Sequence, residues 1–249
     1  MSKLYILLVF VLGVGLVTYF VRQPSQQITI HSEAILVNAD VGLSPCVAID
    51  EFVQPFKDTI DSEMNTVIGY APQDMTVGRP QSLLSNFVAD LLLERANSIT
   101  PTAISVVNMG GLRNSIKKGD VTVRSVFAVM PFENECVIVE MSGEAIWQLA
   151  NEIVAVKGEG FGGMQVVVKN NTLQQAYVQG KLLDRKASYR VVTSDYLLTG
   201  KDGLTALLQH KVLVNPAIKM RDVILEHIVN ETKQGKPIIA EMDNRYQIE

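Results

Sequence analysis

Between Lys3 and Arg22 lie eighteen residues, LYILLVFVLGVGLVTYFV, without a charge. No other stretch of the 249-residue chain limits its folding as strongly, because a run this apolar must leave water. At about 1.5 Å per helical residue it extends roughly 27 Å, close to the ~30 Å hydrocarbon core of a bilayer. A cleaved signal peptide normally has a shorter apolar region and a small-residue cleavage site, and neither is evident here. Residues 1–22 are therefore expected to form a signal anchor. A cleaved signal peptide and a buried core helix are the other two readings. An anchor and a signal would each export the rest of the chain, to a membrane-anchored or periplasmic location. Residues 23–46 open on a polar, proline-containing segment and are read as a linker, with residues 47–249 as one domain.

With 47% hydrophobic residues the chain has ample material for a core, and at a net charge of −4 it has no long basic run. The electrostatic footprint of a nucleic-acid binder is missing. Of the two cysteines, Cys136 sits in the alternating pattern ECVIVEM. Two buried free thiols are expected in preference to a Cys46–Cys136 bridge, although an exported domain would permit one.

Periodicity gives the fold class. Residues 47–66 suggest a helix interrupted by Pro55, leading into a turn-rich passage, GYAPQDMTVGRPQ. Ser82 is placed to cap LLSNFVADLLLERAN, whose Leu84, Phe87, Val88, Leu91 and Leu92 form one apolar stripe. Strands are expected at 102–108 and 135–141, a helix capped by Ser142 over 143–156, and a hairpin turning at Asn170-Asn171. A further strand, SYRVVTSDYLL, precedes a last amphipathic helix that gathers Met220, Val223, Ile224, His227 and Ile228. Strands and helices mix without strict alternation, which predicts an α+β domain.

Self-contained chemistry is hard to find. The three histidines, His31, His210 and His227, have no carboxylate partners at metal-binding spacing. There is no Gly-x-Ser-x-Gly elbow and no phosphate-binding P-loop. A glycine pair does come after the strand at 102–108, where it can expose backbone N–H groups, and Arg113 stands just beyond with a fork suited to phosphate or carboxylate.

Four motifs in order, NMGGLR, KGDVTVRSVFAVMPFEN, MSGEAIWQL and VVTSDYLLTGKDG, together with the early helix SLLSNFVAD, resemble the C-terminal domain of 5′-nucleotidases from about Ile49 to about Tyr246. The resemblance implies a single mixed α/β sandwich domain with a substrate-binding site. Its two stacking aromatics fall on Phe132 and Tyr196, its ribose-binding carboxylate on Asp202, its phosphate-side arginine on Arg113 and its loop asparagine on Asn108. A further arginine of the pattern has Arg79 as its nearest match, one residue out of register. Met109, Glu133 and Lys201 stand where the pattern has glycine, and Tyr196 where it has phenylalanine. Glu133 would oppose a phosphate unless it points away.

Full-length members place a two-metal phosphoesterase domain before this one. The resemblance therefore implies a nucleotide-binding half that works with a separate metallophosphoesterase chain, which would hold the divalent metals; no cofactor is expected in this chain. The alternative is a non-enzymatic, membrane-tethered nucleoside-binding or scaffolding module.

Overall fold

The computed structural model describes Ser32 and residues 46–249, so the apolar run and the anchor expected from it lie outside the described residues. Among the described residues no helix is long and apolar enough to cross a membrane. By internal contacts the chain divides into two units, Met1–Asp50 and Glu51–Glu249, and the site lies in the second.

The elements run α1 (Val47–Met64), β1 (Val67–Ala71), α2 (Leu83–Asn97), β2 (Ile104–Val107), β3 (Gly119–Thr122), α3 (Val123–Val129) and β4 (Cys136–Ser142). Next come α4 (Gly143–Ala155), β5 (Gly160–Gly162), β6 (Met164–Lys169), β7 (Thr172–Val178) and β8 (Lys181–Leu182). The chain closes with β9 (Ser188–Ser194), β10 (Lys211–Val214), α5 (Met220–Lys233) and β11 (Tyr246–Ile248).

Pro55 does not interrupt α1, contrary to the expectation from sequence. Proline removes one backbone bond from a helix. No residue of α1 is buried, so water can take that bond's place. Ser82 caps α2 as its spacing predicts: its Oγ accepts from Ser85 N at 3.2 Å while Ser82 N donates back to Ser85 Oγ at 3.0 Å. Thr122 and Ser125 form the same reciprocal cap on α3. The Asn170-Asn171 turn joins β6 to β7, both residues at positive φ (51° and 58°), which suits the right-handed twist of a hairpin.

A five-stranded sheet, in the order β10-β4-β9-β2-β5, divides the core. Alternation along its strands sends Val107, Ile138 and Val192 toward α2 and α5, and Val106, Val137, Val139 and Val191 toward α4, Phe161 and the β6–β7 hairpin. A four-stranded sheet, β11-β6-β7-β8, lies on that second side, and β1 pairs with β3 on the first. The mixed α/β sandwich implied by the resemblance is present.

One pairing decides where a site can form. β2 and β9 are parallel neighbours, whereas β4 and β5 run antiparallel to them. The chain leaving β2, the chain leaving β9, and the chains entering β4 and β5 therefore all emerge at the same end of the sheet. That end carries the carboxyl termini of the parallel pair, where open sheets favour ligand crevices.

Candidate functional site

Beyond β2 the chain makes a 3₁₀ turn over Met109–Gly111, closed by Gly111 N donating to Asn108 O at 3.0 Å. A β-carbon on Gly111 would stand 2.9 Å from Asn108 Oδ1, so only glycine leaves the Asn108 side chain room to fold over the turn. Its Nδ2 then donates to Asp202 Oδ2 at 2.6 Å. Asp202 has φ 57°, between Gly200 (74°) and Gly203 (80°), in a turn that aims its carboxylate back at the glycine loop. Tyr196 Oη donates to the other carboxylate oxygen, Oδ1, at 3.1 Å.

The two aromatic rings hang from adjacent strands. Asp195 N donates to Glu135 O at 3.0 Å, and Glu135 N to Asp195 Oδ1 at 3.2 Å, so the β4–β9 ladder continues to the last residues before each ring-bearing loop. Phe132 is 46% and Tyr196 39% exposed, so both rings are partly open to solvent. With Asn108, Arg113, Asp202 and the two loop glycines they line a cavity of about 330 Å³. Arg113 is exposed, held by its backbone N–H to Val129 O at 2.8 Å, and has no carboxylate within salt-bridge distance among the described residues.

Five of the six residues singled out from sequence thus meet at one cavity. Arg79 is the exception. Its guanidinium donates to the carbonyls of Val156 (2.7 Å) and Gly158 and to Glu159 Oε1 (2.6 Å), behind the glycine turn, and it does not line the cavity. Glu159 is buried and accepts Met109 N–H on its other oxygen. Burial pushes its carboxyl up, against the opposing pull of the Met109 amide and Arg79. No sequence motif marked Glu159. Asn134, Met130 and Met220 also line the cavity unforeseen; only Asn134 had a signal, two residues after Phe132 in Pro-Phe-Glu-Asn.

The departures from the glycine pattern are each accommodated. Met109 is buried and outside the cavity lining. Lys201 is not in the left-handed region, so that position does not demand glycine. Glu133 points away: its carboxylate pairs with Lys219 and Arg221, and those two hydrogen bonds hold its pKa down at about 2. Arg221 in turn stacks 4.0 Å above the Phe127 ring.

The donor set does not fit a metal centre. Among the described residues no three His, Cys, Asp or Glu side chains stand close enough to hold one ion. His210 Nδ1 lies 2.6 Å from Leu207 O, and His227 packs edge-on against Phe87. Cys46 is exposed and Cys136 buried, both free, so only Cys136 meets the expectation of a buried thiol.

Residues 67–209, which include every residue lining the cavity except Met220, match the family described as 5′-nucleotidase, C-terminal domain. The chain belongs to this family. A 5′-nucleotidase of Vibrio parahaemolyticus is 29% identical over 215 residues, covering 79% of this chain and 38% of the relative. A trifunctional nucleotide phosphoesterase of Bacillus subtilis is 26% identical over 62% of this chain and 12% of its own length. The chain thus spans at most about two fifths of these relatives. Among solved structures, a 5′-nucleotidase precursor from Thermus thermophilus superposes with TM-score 0.69 at 24% identity, over 81% of this chain and 42% of that one. A sulfate thiohydrolase from Thermus thermophilus gives TM-score 0.62 at 11% identity, over 84% and 40%. The fold therefore serves proteins with different chemistry, and ligand choice lies in the cavity rather than in the fold.

Proposed function

We propose that this domain binds a nucleoside or nucleoside 5′-monophosphate and serves a metallophosphoesterase carried on a separate chain, in nucleotide catabolism. The supporting observation is the cavity itself: two exposed rings, a carboxylate and the Arg113 guanidinium face one space of about 330 Å³. In this reading a purine stacks between Phe132 and Tyr196, the ribose hydroxyls donate to Asp202, and Arg113 meets the phosphate. Asn108 orients Asp202 through the 2.6 Å bond described above. Because Glu133 is paired with Lys219 and Arg221, its charge is directed away from the phosphate side. The partner's metals would polarise the phosphate and supply the attacking hydroxide. This chain binds and orients. The apolar run at 4–21 would tether it, after export, to a membrane.

Stacking contributes about 1–3 kcal/mol per ring, and a hydrogen-bonded carboxylate about 1.5–3 kcal/mol. Association costs at least about 4 kcal/mol. Two rings and the carboxylate together give at most about 9 kcal/mol, so the balance is no better than about −5 kcal/mol and adenosine should bind no more tightly than the sub-millimolar range. Two experiments test the proposal. Adenosine titrated into the full chain should shift NMR signals of Phe132 and Tyr196, and no shift at saturating ligand rejects the nucleoside site. The chain should also accelerate AMP hydrolysis by a phosphoesterase chain copurified with it. If the mixture is no faster than the phosphoesterase alone, the module binds without serving an enzyme.

A further inference from the structure

Stacking needs only a ring, yet Tyr196 ends in a hydroxyl, and that hydroxyl is engaged. The residue is pinned at both ends: the Tyr196 N–H donates to Asp195 Oδ1 at 2.8 Å, and Oη donates to Asp202 Oδ1 at 3.1 Å. The remaining Asp202 oxygen is held by Asn108 Nδ2 at 2.6 Å. An ionised carboxylate offers about four acceptor positions on two oxygens. Here one position on each oxygen is filled by a protein donor, leaving one open on each.

Two open acceptors on one fixed carboxylate match a ligand with two adjacent hydroxyl donors. A carboxylate held on one oxygen alone turns more freely about its last bond, whose torsion is broad. We propose that the Tyr196 hydroxyl, the Asp202 carboxylate and the Asn108 amide act as one unit, so that Tyr196 both stacks the base and sets the carboxylate for a vicinal diol. Tyr196 is then a specificity-determining residue for ribosides over sugars lacking the diol. The inference rests on the nucleoside reading of the cavity and adds to it a role for an atom that stacking does not use.

The test uses the full chain in mild detergent, wild type and Tyr196→Phe, titrated by NMR with adenosine and with 2′,3′-dideoxyadenosine. The variant keeps the ring and loses only the hydroxyl. Adenosine affinity should fall about five- to tenfold, within the range of one ordinary hydrogen bond and below that of a bond made directly to a charged ligand group. Dideoxyadenosine, which has no diol to present, should change less than about twofold, a difference smaller than one ordinary hydrogen bond. An equal loss for both ligands would mean that the hydroxyl merely supports the ring, and unchanged adenosine affinity would mean that it does nothing; either result overturns the coupling and leaves the nucleoside site standing. Failure of the wild type to bind either ligand rejects the nucleoside site and this inference together. A ligand-free measurement separates the cases further. Partial desolvation, then the bond to Asp202 and its charge, hold the Tyr196 phenol above its ordinary pKa, so Asp202→Asn should lower its ionisation point. An unmoved titration would show that the bond does not form in solution, which overturns the coupling as well.

Discussion

Replacing Glu159 by alanine removes the side chain that accepts the Met109 N–H of the glycine turn. Two partners are left. Met109 N–H loses its acceptor at a buried position, which costs about 1–3 kcal/mol. Arg79 loses its carboxylate but keeps the carbonyls of Val156 and Gly158, and its side chain is 40% exposed, so that loss adds at most about 1 kcal/mol. Relief from burying a charge works in the opposite direction, and the net destabilisation should be about 1–3 kcal/mol. Glu159→Gln keeps an acceptor for Met109 and should lie within about 1 kcal/mol of wild type. Urea denaturation of the full chain at pH 7 measures both. An alanine variant within about 0.5 kcal/mol of wild type would refute that role of Glu159, since that is the range of ordinary surface substitutions.

The pH dependence has a definite sign. Burial raises the Glu159 carboxyl above its ordinary value of 4.5. A carboxyl with a raised folded pKa holds its proton more tightly in the folded state, so stability is lost as pH rises through that interval and is regained below it. Wild type should therefore gain stability relative to Glu159→Gln as the pH falls from about 7 toward the ordinary value of 4.5. A gap that moves the other way contradicts the burial argument.

Phe132→Ala should weaken adenosine binding by about 1–3 kcal/mol, seen as NMR shifts that no longer saturate; unchanged binding would mean that the ring is no platform. Burial pushes the Cys136 thiol up to about 12, whereas Cys46 is exposed. A thiol reagent at about pH 8 should therefore titrate one cysteine in the folded chain and the second only in denaturant; prompt reaction of both contradicts it. Phe161 is fully buried in β5, on the α4 side of the core, and Phe161→Ala should cost about 3–5 kcal/mol in urea denaturation. A loss below about 1 kcal/mol would mean that the core closes around the missing ring.

Elements whose signal is carried by many residues are legible in the sequence. α2, α4 and α5 have long apolar periodicities and two have serine caps, and the observed bounds of α2 and α4 fall within a residue of expectation. The strands β1, β3, β5, β10 and β11, with three to five residues each, give no such signal. These five are defined by their partners rather than by their own alternation, unlike the equally short β2, which lies within the apolar TAISVVN. β5 is the extreme case: Gly-Phe-Gly is too short to show alternation, yet its glycines allow α2 to approach the sheet, with a β-carbon on Gly160 3.2 Å from Ser85 O. At the cavity, side-chain types and motif order point to Asn108, Arg113, Phe132, Tyr196 and Asp202. They cannot disclose that Arg79 is turned onto Glu159, or that Asp195 links the two ring-bearing loops, because both depend on contacts across distant segments.

Asn108 and Asp202 are 94 residues apart in the chain, and the parallel β2–β9 pairing is what brings them together. Pairings of such sequence separation must meet their loop-closure cost before any contact rewards them, which makes them intrinsically slow to form. The cavity is thus a property of the completed fold: a nascent chain or a fragment ending before residue 202 contains the glycine turn but no carboxylate for it to face. Any ligand that uses both residues then draws on the stability of the whole sheet. At about ten times its dissociation constant it would add about 1.4 kcal/mol to global unfolding, which makes this small surface site a gauge of whether the entire domain has folded.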